Sequence, residues 1–159
     1  MRRWLVAVAL LHVSAIAPGQ RPLGRPTLPD SGKPSAQADF QKGLAWLHSF
    51  MYEDAIDAFR AAQKIDPNDV MAYWGEAMSF SQPLWFFEEV DKGQAALAKL
   101  GPTPAARMSK ATTVREQGFL RAAEALFGPG DKPARAAAHA KEMARVVAEN
   151  PGDDDGEAF

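Results

Sequence analysis

The sequence predicts an all-α protein made of antiparallel helix pairs stacked as a solenoid. Three observations predict it. Apolar side chains recur at steps of three and four from about residue 38 onward, the gaps between these stripes carry prolines and helix-capping residues, and no segment alternates in the manner of a strand. One kind of break also recurs, I-D-P-N-D at 65–69 and E-N-P-G-D-D at 149–154. Repetition of one supersecondary unit argues for a solenoid over a closed bundle.

The first helix places Phe40, Gly43, Leu44, Leu47, Phe50 and Met51 on one stripe. The second repeats the pattern with Ala55, Ile56, Phe59, Ala62 and Ile65, and Glu53 and Asp54 ahead of it suit a helix N-terminus. Asp66-Pro67-Asn68-Asp69 ends the second helix and caps a third, expected to run to Gln82, where Pro83 intervenes. A fourth helix is predicted over 84–100 and a fifth over 104–127, separated by Gly101, an N-capping Thr103 and Pro104. Asp131 caps a sixth helix over 132–149, with Ala137, Ala140, Met143, Ala144 and Val147 facing inward. After Asn150-Pro151-Gly152, the residues 153–159 read as a capped helix start that stops after one turn, so the solenoid is expected to be truncated at its C-terminus.

Residues 1–17 differ from the rest. Arg2 and Arg3 precede an apolar run that ends Ala15-Ile16-Ala17, the three parts of a secretory leader. The run is shorter than the ~20 residues of a membrane span, so no span is expected after cleavage. Removal would take away two basic residues and no acid, moving the formal charge from −2 to −4 and placing the protein in a periplasm or outside the cell. Residues 18–37 hold five of the twelve prolines and read as a solvated, disordered linker, leaving 38–159 as the helical domain. With no Cys there is no disulfide, thiolate metal site or cysteine nucleophile. The balanced charge, with only Arg107, Lys110 and Arg115 on one mildly basic side, does not describe a nucleic-acid binder.

Residues 36–69 resemble a tetratricopeptide (TPR) repeat. Gly43, Trp46, Tyr52, Ala55, Phe59, Ala62 and Pro67 follow in the order and spacing of that pattern, although Phe40 stands near the start in place of Trp and Lys42 precedes the Gly in place of Leu. A second repeat opens at 71–85 with Tyr73 at its first aromatic position, and 133–154 resembles the second helix and turn of a weaker one. The run is also similar to exported bacterial TPR proteins of unknown function, in which a Cys often stands at the position of Asp69 and a His at that of Gln82; this chain has neither. The resemblance implies a right-handed solenoid, with Gly43 and Ala55 small where helices cross, Phe59 and Ala62 interlocking with the next repeat, and Pro67 turning the chain. It also implies a concave groove lined by Phe40, Leu44, Leu47 and His48 from the first repeat and Trp74, Met78, Ser81 and Gln82 from the second. The function it implies is non-catalytic binding of a protein or peptide, with Phe40 and Trp74 as anchors and no cofactor.

The alternative is a metal- or small-molecule-binding protein, or an enzyme, that uses His48 and neighbouring acids. The sequence argues against a metal: His48 and His139 lie on separate helices and neither belongs to an H-E-x-x-H unit. D-D-D-G-E at 153–157 lacks the spacing of a calcium loop, G-P-G-D-K-P at 128–133 lacks the ending of a phosphate loop, and Ser79 and Ser81 have no nucleophile-elbow setting. Glu88-Glu89 and Asp54-Asp57 have the spacing of solvated helix faces.

Overall fold

The computed structural model describes residues 26, 28–152, 156 and 159. The expected leader, and residues 18–25 of the expected linker, lie outside them. Among the described residues the protein is all-α apart from one small hairpin. The helices are α1 (Gln37–His48), α2 (Tyr52–Ile65), α3 (Val70–Met78), α4 (Val90–Leu100), α5 (Pro104–Met108), α6 (Val114–Leu126) and α7 (Lys132–Glu149). Each packs on the next in the chain, and α3 also packs on α1 and α6.

The three-helix junction at the start of the fold turns on one ring. Phe59 of α2 is fully buried between Gly43 of α1 and Gly75 of α3. A Cβ on Gly43 would lie 2.8 Å from that ring, and one on Gly75 only 2.3 Å from it. The same device recurs at Gly93 of α4, where a Cβ would meet the Phe127 ring at 2.3 Å. Gly75→Ala therefore sets two effects against each other. Alanine favours a helix by about 1 kcal/mol, but overpacking a closed core costs typically 1–3 kcal/mol. With Gly43 behind the ring, the clash should win, and urea titration should show a net loss of about 1–2 kcal/mol.

The other residues expected to pack the repeat behave as such. Ala55 and Ala62 are fully buried, Tyr52 and Tyr73 nearly so, and Trp46 is half-buried against the core. The Tyr73 hydroxyl donates to the carbonyl of Pro67 (3.2 Å), pinning the turn to α3. Glu76 of α3 is also fully buried and ties three helices together: it accepts from Arg60 (2.8 Å) and Gln63 (2.7 Å) of α2 and from Lys99 (2.5 Å) of α4. Burial alone would push its carboxyl up, but these donors outweigh that and hold it below the usual range.

Four expectations need correction. Helix α3 stops at Met78, four residues short, because Ser79 Oγ donates back to the Gly75 carbonyl (2.8 Å) and Pro83 disfavours helix before it. The chain forms instead two short strands, β1 (Ser81–Gln82) and β2 (Phe87–Glu88), paired antiparallel with Ser81 opposite Glu88, joined by a 3₁₀ turn at Pro83–Trp85. Helix α4 thus begins at Val90. The single helix expected over 104–127 is two, divided ahead of a capping box: Thr113 Oγ1 accepts from the Glu116 amide (3.1 Å) while Glu116 Oε2 accepts from the Thr113 amide (3.2 Å). Helix α7 buries only Met143 and Val146, leaving Ala137, Ala140 and Ala144 exposed.

The fourth correction concerns the linker. From Leu28, which is fully buried, the chain is a strap laid across the helices. The Ser31 amide donates to Glu116 Oε1 (2.7 Å) and the Lys33 amide to Asp66 Oδ2 (2.9 Å). Arg115 and Gln41 donate to the carbonyls of Pro29 and Leu28, both at 3.0 Å. Prolines 29 and 34 keep this segment out of helix, and carboxylates of the α2–α3 turn and α6 satisfy the amides it leaves free.

Candidate functional site

Helix ends and the hairpin shape one cleft of about 410 Å³. Leu47 and His48 reach it from the end of α1, Tyr52 from the start of α2, Met78 from the end of α3 and Ser81 from the hairpin. These five were expected in a groove or at a repeat seam, and the fold brings them together. Phe50, Pro83, Phe87, Glu88, Leu126, Lys132, Ala136, His139 and Phe159 complete the wall, and none of them stands out in the sequence as a groove residue.

The other expected groove residues lie elsewhere. Phe40, Leu44 and Trp74 have no exposed surface. Phe40 packs on Phe59 (5.9 Å between centroids). Trp74 is enclosed edge-to-face by Phe119 of α6 (5.1 Å) and Phe159 (4.8 Å). A ring already surrounded in this way cannot anchor a partner, so Phe40 and Trp74 are core. The packing of α6 on α3 is what closes them off. Gln82 is half-buried opposite Phe87 in the hairpin and does not line the cleft.

The two histidines that the sequence separates share the cleft. His139 Nδ1 lies 3.0 Å from the Ala122 carbonyl, which can only accept, so that nitrogen carries the proton and Nε2 is the free acceptor of the neutral ring. His48 stacks at 5.1 Å on Phe159. The charged groups at the rim are spoken for: Glu88 pairs with Arg135, and Lys132 Nζ donates to the carbonyl of Phe86 (3.0 Å). Among the described residues no three His, Cys, Asp or Glu side chains converge as metal ligands. Apolar walls with a few polar atoms are the usual lining of a site that takes a side chain or a small organic group.

A second cluster lies under the strap. Asp69, 2% exposed, caps α3 by accepting from the Ala72 amide (3.0 Å) through Oδ1, while its Oδ2 has no partner among the described residues; Oδ2 of Asp30 is likewise buried and unpartnered among them. Burial, then the carboxylate of Asp30 and that of Asp66, push Asp69 up to about 7. Burial also raises Asp30, whereas Asp66 and Glu116, though burial opposes it, are held low by the strap's Lys33 and Ser31 together with the amides of Asn68, Thr112 and Thr113.

No family model, curated protein or solved structure matches this chain. Among the described residues, no helix is long and apolar enough to cross a membrane.

Proposed function

We propose that this chain is a TPR-type helical module that binds a protein or peptide partner and carries no catalytic centre of its own. The repeat reading is supported by Phe59 held between Gly43 and Gly75, with Pro67 turning the chain, the interlock expected of stacked helix pairs. In this reading the leader over 1–17 exports the protein to a periplasm or beyond.

The observation that carries the binding reading is the cleft of about 410 Å³, walled by apolar side chains and flanked by exposed aromatics. Monomeric proteins rarely leave such surface contiguous without use. Ala136 offers a clean test, because it lines the cleft yet sits on the exposed side of α7. Ala136→Arg should leave the fold intact and fill the cleft. Peptides selected from a displayed library on the wild-type protein should lose at least tenfold in affinity for the variant, roughly 1.4 kcal/mol. Undiminished binding of every selected peptide would remove the cleft from the proposal.

The alternative, a small-molecule site using His48, draws support from the free Nε2 of His139 in the same cleft. It predicts a ligand whose binding is lost on His139→Ala, whereas a peptide held by apolar contacts would tolerate that change.

A further inference from the structure

The cleft and the exposed apolar surface beside it form one continuous face. Leu84, Trp85 and Phe86 at the hairpin tip are all more than half exposed, Phe86 at 86%. Trp85 meets Phe50 at 6.1 Å and Tyr52 at 5.9 Å, edge-on in both cases, and Phe50 and Tyr52 are themselves part of the cleft wall. A free small molecule would fill the cleft and leave the tip bare. A chain that puts one side chain into the cleft runs on over the tip and covers both.

The tip also fixes a charge at the edge of the cleft. Phe86 has φ 52°, the left-handed region where glycine is usual. Its amide donates to the Pro83 carbonyl (3.1 Å), closing the 3₁₀ turn. Its carbonyl accepts from the Nζ of Lys132, which lines the cleft. Strain of this kind concentrates at functional surfaces.

The charge around the cleft is one-sided. Of its lining residues only Glu88 and Lys132 are an acid and a strong base, and Glu88 is cancelled by Arg135. Lys132 pairs with no acid among the described residues. The Phe86 carbonyl is neutral, so it fixes the ammonium, leaves the charge uncancelled and leaves it N–H donors to spare. Asp131, next in the chain, turns its Oδ1 to the Ala134 amide (2.9 Å) as the cap of α7 and is not part of the wall. Any charge that His48 or His139 adds has the same sign as that of Lys132.

Resting on the partner-binding reading above, we infer that the cleft takes a large apolar side chain of an acidic peptide. An Asp or Glu beside that side chain pairs with Lys132, and the flanking chain lies over Trp85 and Phe86. Opposite charge at such a rim selects among apolar peptides more than it adds raw affinity, and a basic flank is turned away by Lys132.

Calorimetric titration of the full chain with end-blocked peptides of equal length, each with a central Phe flanked by Glu, by Gln or by Lys, tests this. In low salt the Glu peptide should bind about fivefold more tightly than the Lys peptide, with the Gln peptide between them, and high salt should close the gap. Lys132→Glu puts a carboxylate in the first turn of α7, where a helix favours it, so the melting temperature should hold while the order of the peptides reverses. Lys132→Gln should erase the preference and keep the Gln peptide bound. Equal affinity or no binding for all the peptides, an order unchanged in Lys132→Glu, or a Glu peptide that binds as well with Ala in place of Phe would each overturn the inference. Phenylpropionate binding as tightly as the Glu peptide would overturn it too, in favour of a small acid. If the peptides bind equally and all weaken on Ala136→Arg, the cleft reading stands and this one falls.

Discussion

Asp69→Asn should make the protein more stable at pH 8 by roughly 2–4 kcal/mol, an unusual gain for a single change. Asp69 sits buried at the start of α3 with Oδ2 unpartnered, facing the carboxylates of Asp30 and Asp66, while Glu116 presses on Asp30 from α6; the countercharge is Lys33, whose ammonium pairs with Asp66 at 3.7 Å. A folded-state value near 7, against the ordinary 3.8, means that the folded protein holds a proton the unfolded chain releases. Stability from this group therefore rises as pH falls from about 7 toward 4, and is forfeited above 7. Asp66, Glu76 and Glu116 act in the opposite sense: all three are held low, so what they contribute is lost as pH falls below about 4. The wild-type protein should thus be most stable between about pH 4 and 6. Asparagine keeps the cap and removes the charge, so the variant should lose less stability than the wild type between pH 5 and 8, keeping only the slope that Asp30 contributes. Urea titrations of both proteins at pH 5 and 8 check it; a wild type equally stable at both would sink the argument.

Phe59→Ala should cost about 3–5 kcal/mol, much of the stability of a domain this size. The ring fills a site closed by two glycines on two helices, and neither glycine has a side chain that could move into the space. The cavity would therefore stay open. The loss should appear as a lower urea midpoint with an unchanged slope. Phe59→Leu, which keeps most of the volume, should recover more than half of it. A variant that loses under 1 kcal/mol would mean the three helices do not depend on this ring.

Much of the helical framework was legible because it rests on local signals. The stripes of α1 and α2 and the N-caps Asp69, Thr103 and Asp131 each involve residues within one turn of each other, and all three caps accept the expected amide, at 3.0, 3.1 and 2.9 Å. The capping box at Thr113 and Glu116 is equally local but is masked by an apolar stripe that runs through it. The hairpin was hidden for a different reason. Leu84-Trp85-Phe86-Phe87 is an unbroken apolar run, which carries no period and fits the start of a buried helix as well as an exposed turn. Its true state depends on a left-handed Phe86, which no propensity favours.

The cleft was half legible. Leu47, His48, Met78 and Ser81 share helix faces visible in the sequence, but whether such a face stays open depends on what packs over it. Trp74 and Met78 lie one turn apart on α3; α6 covers the first, and the second reaches the cleft. His139 joins His48 only through the return of α7, a contact between distant parts of the chain. The strap is not legible in composition, because the prolines of 18–37 dominate it and the one local signal is a lone Leu28 ahead of amides that need acceptors.

The strap also sets an order of events. Its bond from Ser31 to Glu116 joins residues 85 apart in the chain, whereas the helix pairs beneath it are near neighbours in sequence. Closing so long a loop before those pairs exist would cost chain entropy with nothing to offset it. Docking of residues 28–33 is therefore expected to follow the helix pairs in folding.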